Sequence, residues 1–106
     1  MFIVNLTPHP ITLIRDGQEN QVLLPAGKPA RVSSSLAITG TFDDMPIVQQ
    51  SLGDVVDLPP TTKDTLLIVS RMVMTACPNR SDLVCPADLV RDASGNIIGC
   101  KALERL

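Results

Sequence analysis

The sequence predicts a mainly β (α+β) domain, a compact β-sheet or partly open barrel carrying one short helix. Three observations lead there. Turn signals recur about every 8–12 residues, the rhythm of a sandwich or barrel. The runs between them are short and rich in Val, Ile, Leu and Thr, residues that fit a pleated surface. Only one segment, Arg71 to Cys77, has a helix start signal before it and a proline directly after it. At 106 residues the chain has room for one such domain and not for two, so residues 1–106 read as a single domain.

Phe2 to Leu6 is a short apolar run that predicts a first strand. Pro8 and Pro10 hold Thr7 and His9 extended, because the residue before a proline avoids the helical region. The extended path runs on into Ile11 to Arg15, and Asp16-Gly17 then turns it back into Gln21 to Leu24 as a hairpin. Pro25-Ala26-Gly27-Lys28-Pro29 reads as a turn. Ala30 to Ser33 and Leu36 to Phe42 read as strands on either side of a Ser-rich loop. Asp43-Asp44-Met45-Pro46 breaks the chain again, and Ile47 to Gln50 and Val55 to Leu58 flank a turn at Gly53-Asp54.

After the stiff Pro59-Pro60-Thr61-Thr62 connector comes Thr65 to Val69, an unbroken apolar run expected to be buried on both faces. Ser70 is the N-cap of the single helix, which Pro78 stops. Met72, Val73 and Ala76 share one helical face and are expected to pack on the core. Leu83 to Cys85 and Leu89 to Arg91 read as short strands around Pro86-Ala87. Asp92 to Asn96 turns the chain into a last strand, Ile97 to Cys100.

Composition removes several classes of function. A 44% hydrophobic chain is not disordered. Nine basic and eleven acidic residues leave a formal charge of −2, the basic residues are scattered singly, and Phe2 and Phe42 are the whole aromatic complement. Nucleic acid therefore finds neither a basic track nor stacking platforms. No run approaches the roughly 18 apolar residues of a membrane helix, so no membrane partner is expected. Met1 to Asn5 lacks the basic start and apolar stretch of a signal peptide. The three cysteines are an odd number, read as reduced thiols in a cytoplasmic setting.

Two stretches, Asn5-Leu6-Thr7-Pro8-His9 near the start and Arg91-Asp92-x-x-Gly95-x-Ile97-Ile98-Gly99-Cys100 near the end, carry a family resemblance. So do Ile68-Val69-Ser70 and Arg80-Ser81-Asp82 between them. With these motifs the chain resembles small uncharacterised proteins of about this length encoded in bacteriophage, prophage and bacterial genomes. The likeness is weakest over Ser33 to Thr62. It implies a phage-linked setting and brings no activity or site with it.

Four constellations carry polar chemistry. In an extended segment Asn5, Thr7 and His9 project from one side and Phe2, Val4 and Leu6 from the other. The polar side is a candidate ligand ridge; the alternative is a strand terminus bonded to loop backbone. At Val69-Ser70-Arg71 a buried strand feeds a helix start whose free amide groups, with Arg71 and a returning Arg80, suit an anion. The alternative is an ordinary Ser cap with Arg80 paired to Asp82 or Asp88. Cys77, Cys85, Cys100 and His9 have the count of a zinc set without any C-x-x-C pair, seven and fourteen residues intervening between successive cysteines. They read as packed thiols. Asp43, Asp44, Asp54, Asp57 and Asp64 lie beside Pro and Gly, as turn formers do.

The reading that follows is a non-enzymatic binding protein with no cofactor or metal. Its candidate ligand-binding residues are Asn5, Thr7, His9, Ser70, Arg71, Arg80 and Asp82, and its expected ligand is a small anionic, nucleotide-like molecule. In a phage setting such a protein would sequester a nucleotide signal of host defence. Two alternatives stand beside it. One is a protein–protein module that assembles with phage components or inhibits a host enzyme. The other is a small enzyme using His9 as base, with or without a cysteine. The aliphatic excess also points to a homo-oligomer formed at an exposed strand edge, with Met45, Met72 and Met74 as candidates.

Overall fold

A computed structural model of the chain describes all 106 residues. In chain order the elements are β1 (Phe2–Asn5), β2 (Ile11–Leu13), β3 (Gln21–Leu23), β4 (Arg31–Phe42), β5 (Met45–Val56), β6 (Thr65–Ile68), α1 (Arg71–Ala76), β7 (Leu83–Arg91) and β8 (Ile97–Glu104). The protein is mainly β with one short helix. No helix is long and apolar enough to cross a membrane.

Six strands form one sheet in the order β1-β6-β7-β8-β2-β3, and β4 and β5 form a second sheet of their own. Within the first sheet β1, β6 and β7 run parallel, β7–β8 and β2–β3 are antiparallel hairpins, and β2 lies parallel to β8. A parallel bridge between Asn5 and Pro25 then ties the end of β1 to the chain just past β3. The Ala26 N–H reaches the Asn5 carbonyl at 2.9 Å across that bridge, and the Ala30 N–H reaches the Leu6 carbonyl at 3.0 Å. The two ends of the sheet thus nearly meet, giving a small open barrel.

β6 sits between β1 and β7, and Leu67, Ile68 and the following Val69 are buried, as an unbroken apolar strand requires. The Ser70 hydroxyl accepts the Val73 N–H and starts α1, whose Val73 and Met74 plug the core. One cluster unites Leu6, Ala30, Leu67, Val69, Val73, Met74, Leu83 and Cys85. Val32, Val55 and Leu58, at the root of the second sheet, pack against it. Arg80 fastens the Pro59-Pro60 connector by donating to the Pro59 carbonyl at 3.0 Å.

Beyond that root the β4–β5 ribbon leaves the barrel. Its strands are twelve residues each and pair from Arg31↔Val56 out to Phe42↔Met45. Residues 34 to 54 are exposed apart from half-buried Gly40. The separate short strands expected here are therefore two long ones. Ser33 donates its hydroxyl to the Asp54 carbonyl at 2.9 Å, so the ladder runs past Gly53-Asp54 without turning. β7 likewise continues through Pro86-Ala87. β6 pairs only with its first two residues, so the missing Pro86 N–H leaves no ladder bond unmade on that side.

Candidate functional site

The polar residues of the N-terminal segment are brought together, and most of their hydrogen-bonding capacity is spent on the fold. Asn5 is 2% exposed. Its amide NH₂ donates to the carbonyls of His9 at 2.8 Å and Leu23 at 2.9 Å. Its Oδ1 accepts the Thr7 N–H at 2.9 Å and lies 2.6 Å from the Thr7 hydroxyl. Asn5 thus stitches the barrel seam, where the bridge alone would leave the loop carbonyls unpaired. Thr7 Oγ1 lies 3.0 Å from the His9 carbonyl as well, so its one proton serves either acceptor. His9 contributes its carbonyl to this network, and its exposed side chain does not line the cleft described next.

That cleft, about 430 Å³ in volume, opens at one end of the barrel. Thr7 and the Pro10–Thr12 stretch form one wall, and Val69, Ser70 and Arg71 another. Cys85, Pro86 and Leu89 of β7 and Ile97 to Cys100 of β8 complete it. Half of its fourteen lining residues are hydrophobic, and Arg71 is the single charged one. The Arg71 guanidinium pairs with the Glu104 carboxylate; both side chains are largely exposed. That hydrogen bond, reinforced by the attraction of opposite charges, raises the Arg71 pKa further and keeps it cationic. Of the seven residues nominated from sequence, the cleft unites Thr7, Ser70 and Arg71.

Arg80 and Asp82 lie outside the cleft, in a two-point ion pair with Nε–Oδ1 and Nη2–Oδ2 both at 2.8 Å. Asp82 is buried, and its bond to Arg80 holds its carboxyl below the usual carboxylate range against the opposing effect of burial. With the Pro59 carbonyl as a third acceptor, the Arg80 fork is committed within the chain.

Set against protein-family models, curated proteins and solved structures, the chain matches none.

Burial raises the Cys85 and Cys100 thiols above their ordinary pKa, which keeps them protonated near neutrality and weak as nucleophiles. No group of three or more His, Cys, Asp or Glu side chains is gathered as metal ligands would be. All of the acidic turn set but Asp54 share one backbone feature with Asp88. Asp43, Asp44, Asp57, Asp64 and Asp88 all adopt positive φ and are the only non-glycine residues to do so. A short side chain that can bond to nearby backbone makes Asp tolerable there.

The apolar lining escaped the sequence reading, as did Glu104. A usable signal was present in Gly99. A Cβ there would come within 2.9 Å of the Thr12 carbonyl and 2.6 Å of Ile14 Cδ1, so β2 approaches β8 closely only because residue 99 is glycine. An interior glycine in an Ile-Ile-Gly-Cys strand marks the place where Ile11, Thr12 and Ile98 come to share the cleft.

Proposed function

We propose that the protein is a non-catalytic binding protein whose cleft takes a small amphipathic anion, an apolar planar body bearing one phosphate or carboxylate. The observation that carries this reading is the composition of the cleft wall: one cation, Arg71, in a lining of hydroxyls, two thiols and otherwise apolar residues. Small-molecule sites are mostly apolar with few polar groups that fix orientation, and about 430 Å³ lies within their usual range. Arginine recognises phosphate and carboxylate through paired N–H donors. Ser70 in the same lining accepts the Val73 N–H and keeps its own hydroxyl proton for an anion, whereas the Thr7 proton is engaged by Asn5 or His9. The aliphatic walls of Ile11, Leu89, Ile97 and Ile98 suit the face of a nucleobase.

A nucleotide-like ligand meets both demands, and the resemblance to phage-encoded proteins makes sequestration of a nucleotide signal the setting for such binding. Glu104 is the built-in competitor, since an incoming anion takes its place on Arg71. Thermal denaturation with a panel of mononucleotides and cyclic dinucleotides, each beside its unphosphorylated nucleoside, tests the reading. A phosphate-bearing member at 100 times its Kd stabilises the fold by about 2.7 kcal/mol, and Arg71→Ala removes the shift. If none of them moves the midpoint, or if Arg71→Ala responds like the parent, the reading fails.

A further inference from the structure

We infer that the β4–β5 ribbon is a self-association arm, covered in solution by the arm of a second copy of this chain. The arm shares no residue with the cleft.

Side-chain parity sorts the arm's residues onto two faces. Across the antiparallel ladder Ser34 faces Leu52, Leu36 faces Gln50 and Ile38 faces Val48. Opposed residues share a face, and so do alternate residues along each strand. Leu36, Ile38, Val48 and Leu52 therefore form one apolar stripe, each of them 51–70% exposed. Past the irregularity between Ile38 and Gly40, the pair Phe42↔Met45 and, two residues along from Met45, Ile47 load the opposite face near the tip. Between Arg31 and Asp54 the ribbon carries no charged side chain except Asp43 and Asp44 in its turn. Exposed strand edges are normally guarded by Lys, other charges or short length, and this ribbon relies on one proline, Pro46.

Size decides what covers it. The radius of gyration is 17.0 Å, against about 13 Å for a compact domain of this length. The accessible surface of 7456 Å² exceeds the about 5,800 Å² of a compact monomer of this mass by roughly 1,700 Å². A standard interface removes about 800 Å² per partner, and obligate homodimers remove more. The surplus on one chain is thus sufficient for an obligate interface. An isolated two-stranded ribbon is at best marginal in water, so the surface that extends it is also the surface that needs covering. A second copy offers the same aliphatic stripe and free edges, the self-complementarity of a two-fold contact. Apart from Asp43 and Asp44 at its tip, the arm between Arg31 and Asp54 has no charge with which to select a charged partner.

The test is the mass of the purified full chain by light scattering and native mass spectrometry, with Leu36→Glu and Ile38→Glu as arm variants and Val22→Glu as an exposed apolar control. The parent runs at twice or more the 11.4 kDa chain mass, the control does likewise, and each arm variant falls to a single chain with an unchanged circular dichroism spectrum. Should an arm variant fail to fold, hydrogen exchange of the parent decides. Amides of Ser34 to Gln50 become protected as protein concentration rises, while those of β6 do not change. A monomeric parent overturns the inference and leaves the arm to some other occupant. So does a folded arm variant that keeps the parental mass, or arm amides indifferent to concentration.

Discussion

Asn5 and Arg80 show how a residue nominated for a ligand is consumed by the fold. Asn5 is singled out by its place on the polar side of an extended segment, and Arg80 by its return toward the helix start. Their partners are backbone carbonyls of Leu23 and Pro59, eighteen and twenty-one residues away, which only a closed tertiary structure supplies. The Arg80–Asp82 contact, by contrast, is local and was legible as an alternative. It sets an acid limb to stability. Because Asp82 binds its proton less readily in the folded chain than in the unfolded one, the pair contributes fully above the unfolded carboxyl value near 4. The contribution is lost as pH falls through the lower, folded value. Arg80→Ala leaves a buried carboxylate without its counter-ion. It costs about 2 kcal/mol at pH 7 in denaturant unfolding and flattens the decline of stability below about pH 4. Asp92, held low by the amides of its own turn, keeps a residual slope in that variant. An acid limb as steep as the parent's counts against this account of Asp82.

At the scale of elements, the local signals were sound and their consequences were not always local. The Asp16-Gly17 and Asp92–Asn96 turns connect the hairpins expected of them, and the Ser70 cap starts α1. The Gly53-Asp54 and Pro86-Ala87 signals mislead because a neighbouring strand overrides them, by a Ser33 hydroxyl in one case and an unpaired outer edge in the other. Register between β2 and β8 was beyond reach altogether, since a parallel contact across about 85 residues has no turn to announce it. Gly99 is the residue that permits it. Gly99→Ala places a methyl against the Thr12 carbonyl, which is backbone and cannot swing aside, so the strands must separate. The expected loss is about 1–3 kcal/mol in urea unfolding, with the proposed nucleotide binding weakened because Ile11, Thr12 and Ile98 shift with the strands. If alanine is accepted there without loss, the close approach of β2 does not hold the cleft wall.

For the whole molecule, the apolar content is the observation that outruns the barrel. A chain that is 44% hydrophobic buries only fifteen residues in all, and much of the remainder is spread along the arm. That imbalance is readable as an aliphatic excess, though its location is not, because the Ser-rich stretch and Gly53-Asp54 divide the ribbon into short strands when read locally. The geometry makes barrel and arm separable. Val32, Val55 and Leu58 anchor the root in the core cluster, whereas the ladder beyond Ser34↔Leu52 is exposed on both sides. Replacing Ser35–Ser51 with Asn-Gly joins two residues that already face each other, through a turn matched to strand twist. The shortened chain should keep the melting behaviour of the barrel under dilute conditions, together with the ligand-induced shift proposed for Arg71. Its radius of gyration by small-angle scattering should fall toward about 13 Å, and its mass should be that of one chain. If the shortened protein cannot fold even when ligand and concentration favour it, the arm belongs to the core that it only appears to leave.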